Sequence, residues 1–139
     1  MGVPVLCQKS APIADQSLTL EKIGNGYWGK HHRPFGFRVY STPDGTSAYV
    51  QYQTFSSRAE AKQYVAKWVL RPGPEARIIY RQETKDANGQ IVGERIIASA
   101  QIHGKKVFGL VRGIRLDYYL IGSSSLAAAM QVEETIDEH

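Results

Sequence analysis

An α+β domain built on a mainly antiparallel sheet is the fold class this sequence predicts, and three observations predict it. Segments rich in β-formers alternate with tight-turn signals through most of the chain. Only two stretches, one after Ser57 and one after Ser125, carry helical periodicity. The order strand, turn, strand, helix also occurs twice, the second time 68 residues later. Without a gap, Gly36, Val39, Gly45, Ser56, Ser57, Ala59, Ala61 and Gln63 meet Gly104, Val107, Gly113, Ser124, Ser125, Ala127, Ala129 and Gln131. An internal ββα duplication is the expectation this alignment raises. The full expectation is about six strands in the order ββα-ββ-ββα, with both helices packed on one face of the sheet.

The first 26 residues read as irregular, because Pro4, Pro12, Gly24 and Gly26 interrupt every long element. Leu18 and Leu20 alternate with polar neighbours, enough for one short strand. Phe37 and Val39 alternate with Arg38 and Tyr40 as a half-buried strand, and Thr42-Pro43-Asp44-Gly45 supplies its turn. The return strand runs from Ala48 to Phe55. Ser57 and Glu60 then have capping-box spacing, and Ala61, Tyr64, Val65 and Trp68 form one helical stripe. Pro72 and Pro74 require that helix to stop by about Arg71.

Arg77 to Arg81 opens the next strand, and Asn88-Gly89 marks its hairpin tip. The strand from Ile91 to Ile102 contains Gly93, which suggests a bulge or weak edge. His103-Gly104 turns the chain into Lys105–Val111, and Arg112-Gly113 reads as the turn into Leu116–Ile121. Ser123 to Ser125 offer N-caps for a last helix with Leu126, Ala129, Val132 and Ile136 on its apolar side. Late acids oppose that helix's dipole, so its last turn should fray.

A hydrophobic content of 42% and a charged content of 22% fit one ordinary globular core over residues 1–139. Cys7 is the single cysteine, so no disulfide forms within the chain. No apolar run approaches the roughly 20 residues of a membrane span. Met1–Leu6 is too short and lacks the basic lead of a signal peptide, so a soluble chain is expected. Net charge is +4, but four of the 13 acids (Glu133, Glu134, Asp137 and Glu138) close the chain and leave its body more basic.

Function classes follow from residue types. His31-His32 point to opposite sides of an extended chain and offer no natural pair of metal ligands. Cys7 has no neighbouring base, and Gly24-Asn25-Gly26 lacks the spacing of a phosphate loop, so neither a nucleophile nor a cofactor site is expected. The leading expectation is a non-enzymatic interaction module. It would use an edge strand or the open sheet face, carrying Gln51, Gln53 or Arg81, to bind an unknown protein or a second copy of itself. Nucleic acid or another polyanion is the alternative partner. Trp28, Lys30, His31, His32 and Arg33 combine a ring with cations, and His103, Lys105 and Lys106 lead into the equivalent strand of the second unit. An enzyme whose site assembles only in three dimensions is the second alternative.

Overall fold

The central strands bury both of their faces, and that sets the architecture. A computed structural model describes residues 18–29, 33–70 and 75–137. Its elements run β1 (Thr19–Trp28), β2 (Arg33–Ser41), β3 (Ser47–Thr54), α1 (Arg58–Leu70), β4 (Arg77–Lys85), β5 (Ile91–Ile102), β6 (Lys105–Ile114), β7 (Asp117–Ser123) and α2 (Leu126–Asp137). The seven strands form one antiparallel sheet in the order β1-β2-β3-β7-β6-β5-β4.

Consecutive apolar residues show how the sheet is covered. Leu120 and Ile121, Leu110 and Val111, and Ile96 and Ile97 are all buried although neighbours in a strand face opposite ways. Ile96, Ala98, Val111, Tyr118 and Leu120 pack with Phe55, Ala61 and Val65 on the α1 face. Ile97, Leu110 and Ile121 pack with Tyr40, Ala48, Val50, Ala128, Ala129 and Val132 on the α2 face. The helices therefore lie on opposite faces, which corrects the expectation of one helical layer.

Chain path explains the difference. The helix α1 carries the chain from β3, in the middle of the sheet, to β4 at its far edge. It must pass over β7, β6 and β5, so one face is already occupied before α2 begins. The apolar stripe of α2 finds its burial on the other.

This arrangement does not confirm the duplication as two equivalently packed units. A rotation within the sheet that carried β2–β3 onto β6–β7 would leave both helices on one face. Moreover, the 68-residue offset aligns Val50 on the α2 face with Tyr118 on the α1 face. The order of elements recurs, but the packed faces do not.

Aromatic rings over glycines explain two boundaries that the sequence places wrongly. Gly24 and Gly26 do not break the chain; they lie inside the ten-residue β1. A Cβ on Gly24 would stand 2.7 Å from the Phe37 ring, and one on Gly26 2.9 Å from the Phe35 ring. The glycines leave room for the neighbouring strand's rings to lie flat across the edge. β1 is thus the seventh strand, longer than the short one expected. Likewise Gly113 is not a turn residue but part of β6, beneath the Tyr118 ring. The turn falls two residues later, where Arg115 takes a φ of 58°.

Local capping follows the sequence with one change. Ser57 Oγ accepts from the Glu60 amide at 3.1 Å, but the Glu60 carboxylate returns to Ser56, accepting from its amide at 2.8 Å and its hydroxyl at 2.9 Å. Ser125 Oγ accepts from the Ala128 amide at 3.1 Å and caps α2. His103 and Gly104, with φ of 52° and 78°, make the tight turn between β5 and β6.

Candidate functional site: the β4 edge and the arginine row

Strand β4 stands beyond the reach of both helices. All nine of its residues are exposed, and Ile78, Ile79 and Tyr80 keep 40–50% of their surface in water. Its inner side pairs with β5, with register shifts between Ile78 and Tyr80 and between Thr84 and Lys85. Between those irregularities lies a regular segment, Tyr80 to Thr84. The outer backbone groups of an edge strand have no ladder partner in their own sheet, so this segment is a template for another strand.

Pairing register builds a polar row next to it. On the α2 face, Tyr52, Tyr119, Arg112, Arg95 and Gln82 stand opposite one another across β3, β7, β6, β5 and β4. Tyr52 and Tyr119 have ring centroids 6.1 Å apart. Two like charges directly opposite repel, yet Arg95 and Arg112 are held together by Glu133 of α2. Arg95 donates to its carboxylate through Nε at 2.7 Å and Nη2 at 2.9 Å, and Arg112 through Nη1 at 3.1 Å. Arg95 also lies over the Tyr80 ring, 5.4 Å from its centroid. The carboxylate raises the Arg95 pKa further, so this cation stays charged at every working pH. Glu133 is buried, not one of several solvated late acids as its position suggests.

The opposite face holds a second ionic cluster. Tyr118 donates a short hydrogen bond to the buried Glu94 carboxylate, and Arg58 donates to the Tyr118 oxygen at 2.8 Å. Arg58 and Arg81 stand 3.6 and 3.9 Å from Glu94. Carboxylate, phenol and guanidinium together resemble the parts of an acid–base site, but the Tyr118 residue has 0% exposure. A group sealed from water and substrate organises the core instead.

Burial holds the Tyr118 phenol well above the ordinary tyrosine range, helped by the hydrogen bond and charge of Glu94 and opposed by Arg58. The fold thus keeps a proton that the unfolded chain loses near pH 10. Its stabilising contribution is complete below about pH 10 and is lost as the pH rises beyond it, at up to about 1.4 kcal/mol per pH unit. Tyr118→Phe is expected to cost roughly 1–3 kcal/mol at pH 7, since Glu94 loses a buried donor. It should also make the alkaline decline shallower. Denaturant titrations between pH 8 and pH 11 check both effects.

Of the residues singled out from sequence for a polyanion, Arg33, His103, Lys105 and Lys106 are described with their side chains, and Arg33 lies apart from the other three. Lys30, His31 and His32 lie outside the described residues, and of Trp28 only the backbone, closing β1, is described. Arg33 pairs with Glu60 at 3.0 Å and donates to Ser56 Oγ at 3.2 Å, so it ties β2 to the start of α1. His103, Lys105 and Lys106 sit at the β5–β6 turn, with Lys106 Nζ 5.5 Å from the Phe108 centroid. That turn and Arg33 are at opposite ends of the sheet. Strand spacing separates them by about 14 Å across and roughly 30 Å along. Arg33 and the β5–β6 turn therefore share no common surface.

Gln51 and Gln53 are also displaced from the open face expected of them. Both are buried on the α1 face. Gln51 donates to Gln53 Oε1 at 2.6 Å and to the Tyr64 hydroxyl at 2.9 Å, and accepts from the Tyr49 hydroxyl at 2.9 Å. Arg81 lies on that face as well but at the exposed edge. The arginine row had a readable signal in part: Arg95 and Arg112 both fall in an acid-free segment. Only the β5–β6 register shows that they stand side by side.

Among the described residues no helix is long and apolar enough to cross a membrane. None of their His, Cys, Asp and Glu side chains gather in threes as metal ligands do. The fold and edge define an α+β domain with an antiparallel sheet flanked by a helix on each face. No protein-family model, curated protein or solved structure matches it.

Proposed function

We propose that this chain is a non-enzymatic interaction module that pairs with a second copy of itself along the β4 edge. The observation that carries this reading is the self-complementarity of the regular segment. Antiparallel pairing centred on Gln82 sets Arg81 opposite Glu83 twice, Tyr80 opposite Thr84 twice, and Gln82 opposite itself. Cross-strand pairs of opposite charge contribute roughly 0.2–1 kcal/mol each. The backbone hydrogen bonds of the joined ladder and the cover given to Ile78, Ile79 and Tyr80 add to them. One sheet would then run through both copies.

The other edge is a poorer template. Gly24 and Gly26 interrupt β1 with residues that lose most conformational freedom on pairing. On its α1 side β1 is also roofed by Phe35 and Phe37.

Charge reversal tests the register. Glu83→Lys sets a lysine against Arg81, and Arg81→Glu sets a second carboxylate against Glu83, so each variant alone is expected to be monomeric by light scattering. Mixed together they restore opposite charges at every position and should form a heterodimer. Circular dichroism guards the comparison, because Arg81→Glu also places an acid near Glu94. A monomeric parent chain, or a mixture that stays monomeric while both variants are folded, overturns the reading. So does a dimer that survives Glu83→Lys but dissolves on Ile23→Lys, which would place the interface on β1.

A further inference from the structure

We infer that the arginine row closes a phosphate-binding site on the α2 face, independent of the β4 pairing. A depression of about 420 Å³ lies at the β4–β5–β6 end of the sheet, bordered by Gln82, Thr84, Glu94, Arg95, Arg112 and Arg115. Gly93 makes room for it. In the register, Thr84, Gly93 and Ile114 stand opposite one another, so the missing side chain of Gly93 leaves a gap in the middle of a row. A Cβ there would come within 3.0 Å of the Gly113 carbonyl oxygen. The gap is therefore a fixed feature of the strand.

Charge selects the ligand. Arg95, Arg112 and Arg115 line the depression. Glu94 lines it too, but its carboxylate is engaged by Tyr118 and Arg58 on the other face. Among the described residues, Glu133 is the carboxylate that Arg95 and Arg112 share. Among the described strand residues on this face, Asp117 accepts from Thr54 Oγ1 at 2.6 Å in the row beyond. Three guanidinium groups gathered at one depression favour an anionic ligand, and a phosphate monoester is the class they suit. Planar guanidinium groups suit phosphate because they donate in a fixed fork. Gln82 and Thr84 add an amide and a hydroxyl at the rim. The volume exceeds that of bare phosphate and leaves space for the group that bears it.

Backbone geometry places the residue that carries the third cation. Arg115 occupies the β6–β7 turn at a φ of 58°, and its amide donates to the Val92 carbonyl at 2.8 Å. This conformation favours glycine or asparagine. An arginine here costs the turn something and places its charge at the mouth of the depression.

The phosphate could belong to a small monoester or to a nucleic-acid backbone, and titration calorimetry with the full chain separates the two. Ribose 5-phosphate is expected to bind saturably and to be displaced by inorganic phosphate, while ribose alone is not bound. Arg115→Asn keeps the turn and removes the charge, so affinity should fall at least tenfold with the thermal midpoint unchanged or raised. Glu133→Gln, where it remains folded, should increase affinity by releasing both arginines. Absence of saturable binding, or an Arg115→Asn variant that binds as well as the parent, overturns the inference. Binding only to an unphosphorylated-end single-stranded oligonucleotide, falling steeply with salt and indifferent to Arg115→Asn, would show general attraction for a polyanion and overturn it too.

Discussion

Replacing Gly113 with alanine is expected to destabilise the fold by about 3 kcal/mol, near the top of the usual range for overpacking a closed core. The added methyl would stand 2.6 Å from the Tyr118 ring. That ring cannot move aside. It is wholly buried, crosses Phe55 edge-on at 5.4 Å, and its hydroxyl is held by both Glu94 and Arg58. Relief from glycine's conformational freedom returns at most about 1 kcal/mol.

Gly24→Ala is the matched control. Its Cβ would approach the Phe37 ring to 2.7 Å, nearly the same distance. Phe37 is only half-buried and lies near an open edge, so the ring can tilt outward and the cost should stay below about 1 kcal/mol. Chemical denaturation of the two variants measures the difference. Equal costs would show that freedom of the overlying ring does not decide the outcome.

Glu133→Ala should be the second large effect, at about 2–3 kcal/mol, somewhat under the loss for breaking a fully buried ion pair. By position alone the expected sign is the opposite. An acid late in a helix opposes the dipole, and removing it from a solvated surface stabilises by roughly 0.3–1 kcal/mol. Here the carboxylate is buried and receives three hydrogen bonds from Arg95 and Arg112. Without it two guanidinium groups face each other across β5 and β6 with no shared counter-charge. Their side chains keep 25% and 28% of their surface in water, so partial rehydration limits the loss. The exposed neighbour Glu134 provides the contrast: Glu134→Ala should be neutral or slightly stabilising. Urea midpoints for the two alanine variants must therefore move in different directions or by clearly different amounts.

Tertiary pairing explains why Gly113 and Glu133 are hard to read from sequence. A glycine after a basic residue looks like a turn until a ring just past the true turn is known to lie over it. A glutamate beside Glu134 looks solvated until two arginines, 21 and 38 residues earlier in the chain, are brought beneath it. Arg33 is similar. Its basic neighbours suggest a cationic patch, whereas Glu60 of α1 neutralises it from well along the chain. The two-faced burial was more accessible. Ile96-Ile97, Leu110-Val111 and Leu120-Ile121 break strict alternation, as strands covered on both sides do. Those pairs were the sign of two helical layers.

Whatever depends on near neighbours is legible in the chain: both helices and their serine caps, and the tight turns at Gly45, Gly89 and His103-Gly104. The antiparallel class is legible too, because short turns force neighbouring strands to run in opposite directions. Three-dimensional assembly settles the rest: which strands pair across long separations, which face each helix covers, and which strand remains an edge. Those outcomes depend on β3 meeting β7 and on the path of α1 over three strands to β4. Contacts such as Thr54 with Asp117, 63 residues apart, lie beyond the reach of any local spacing. The arginine row and the β4 edge are products of that pairing.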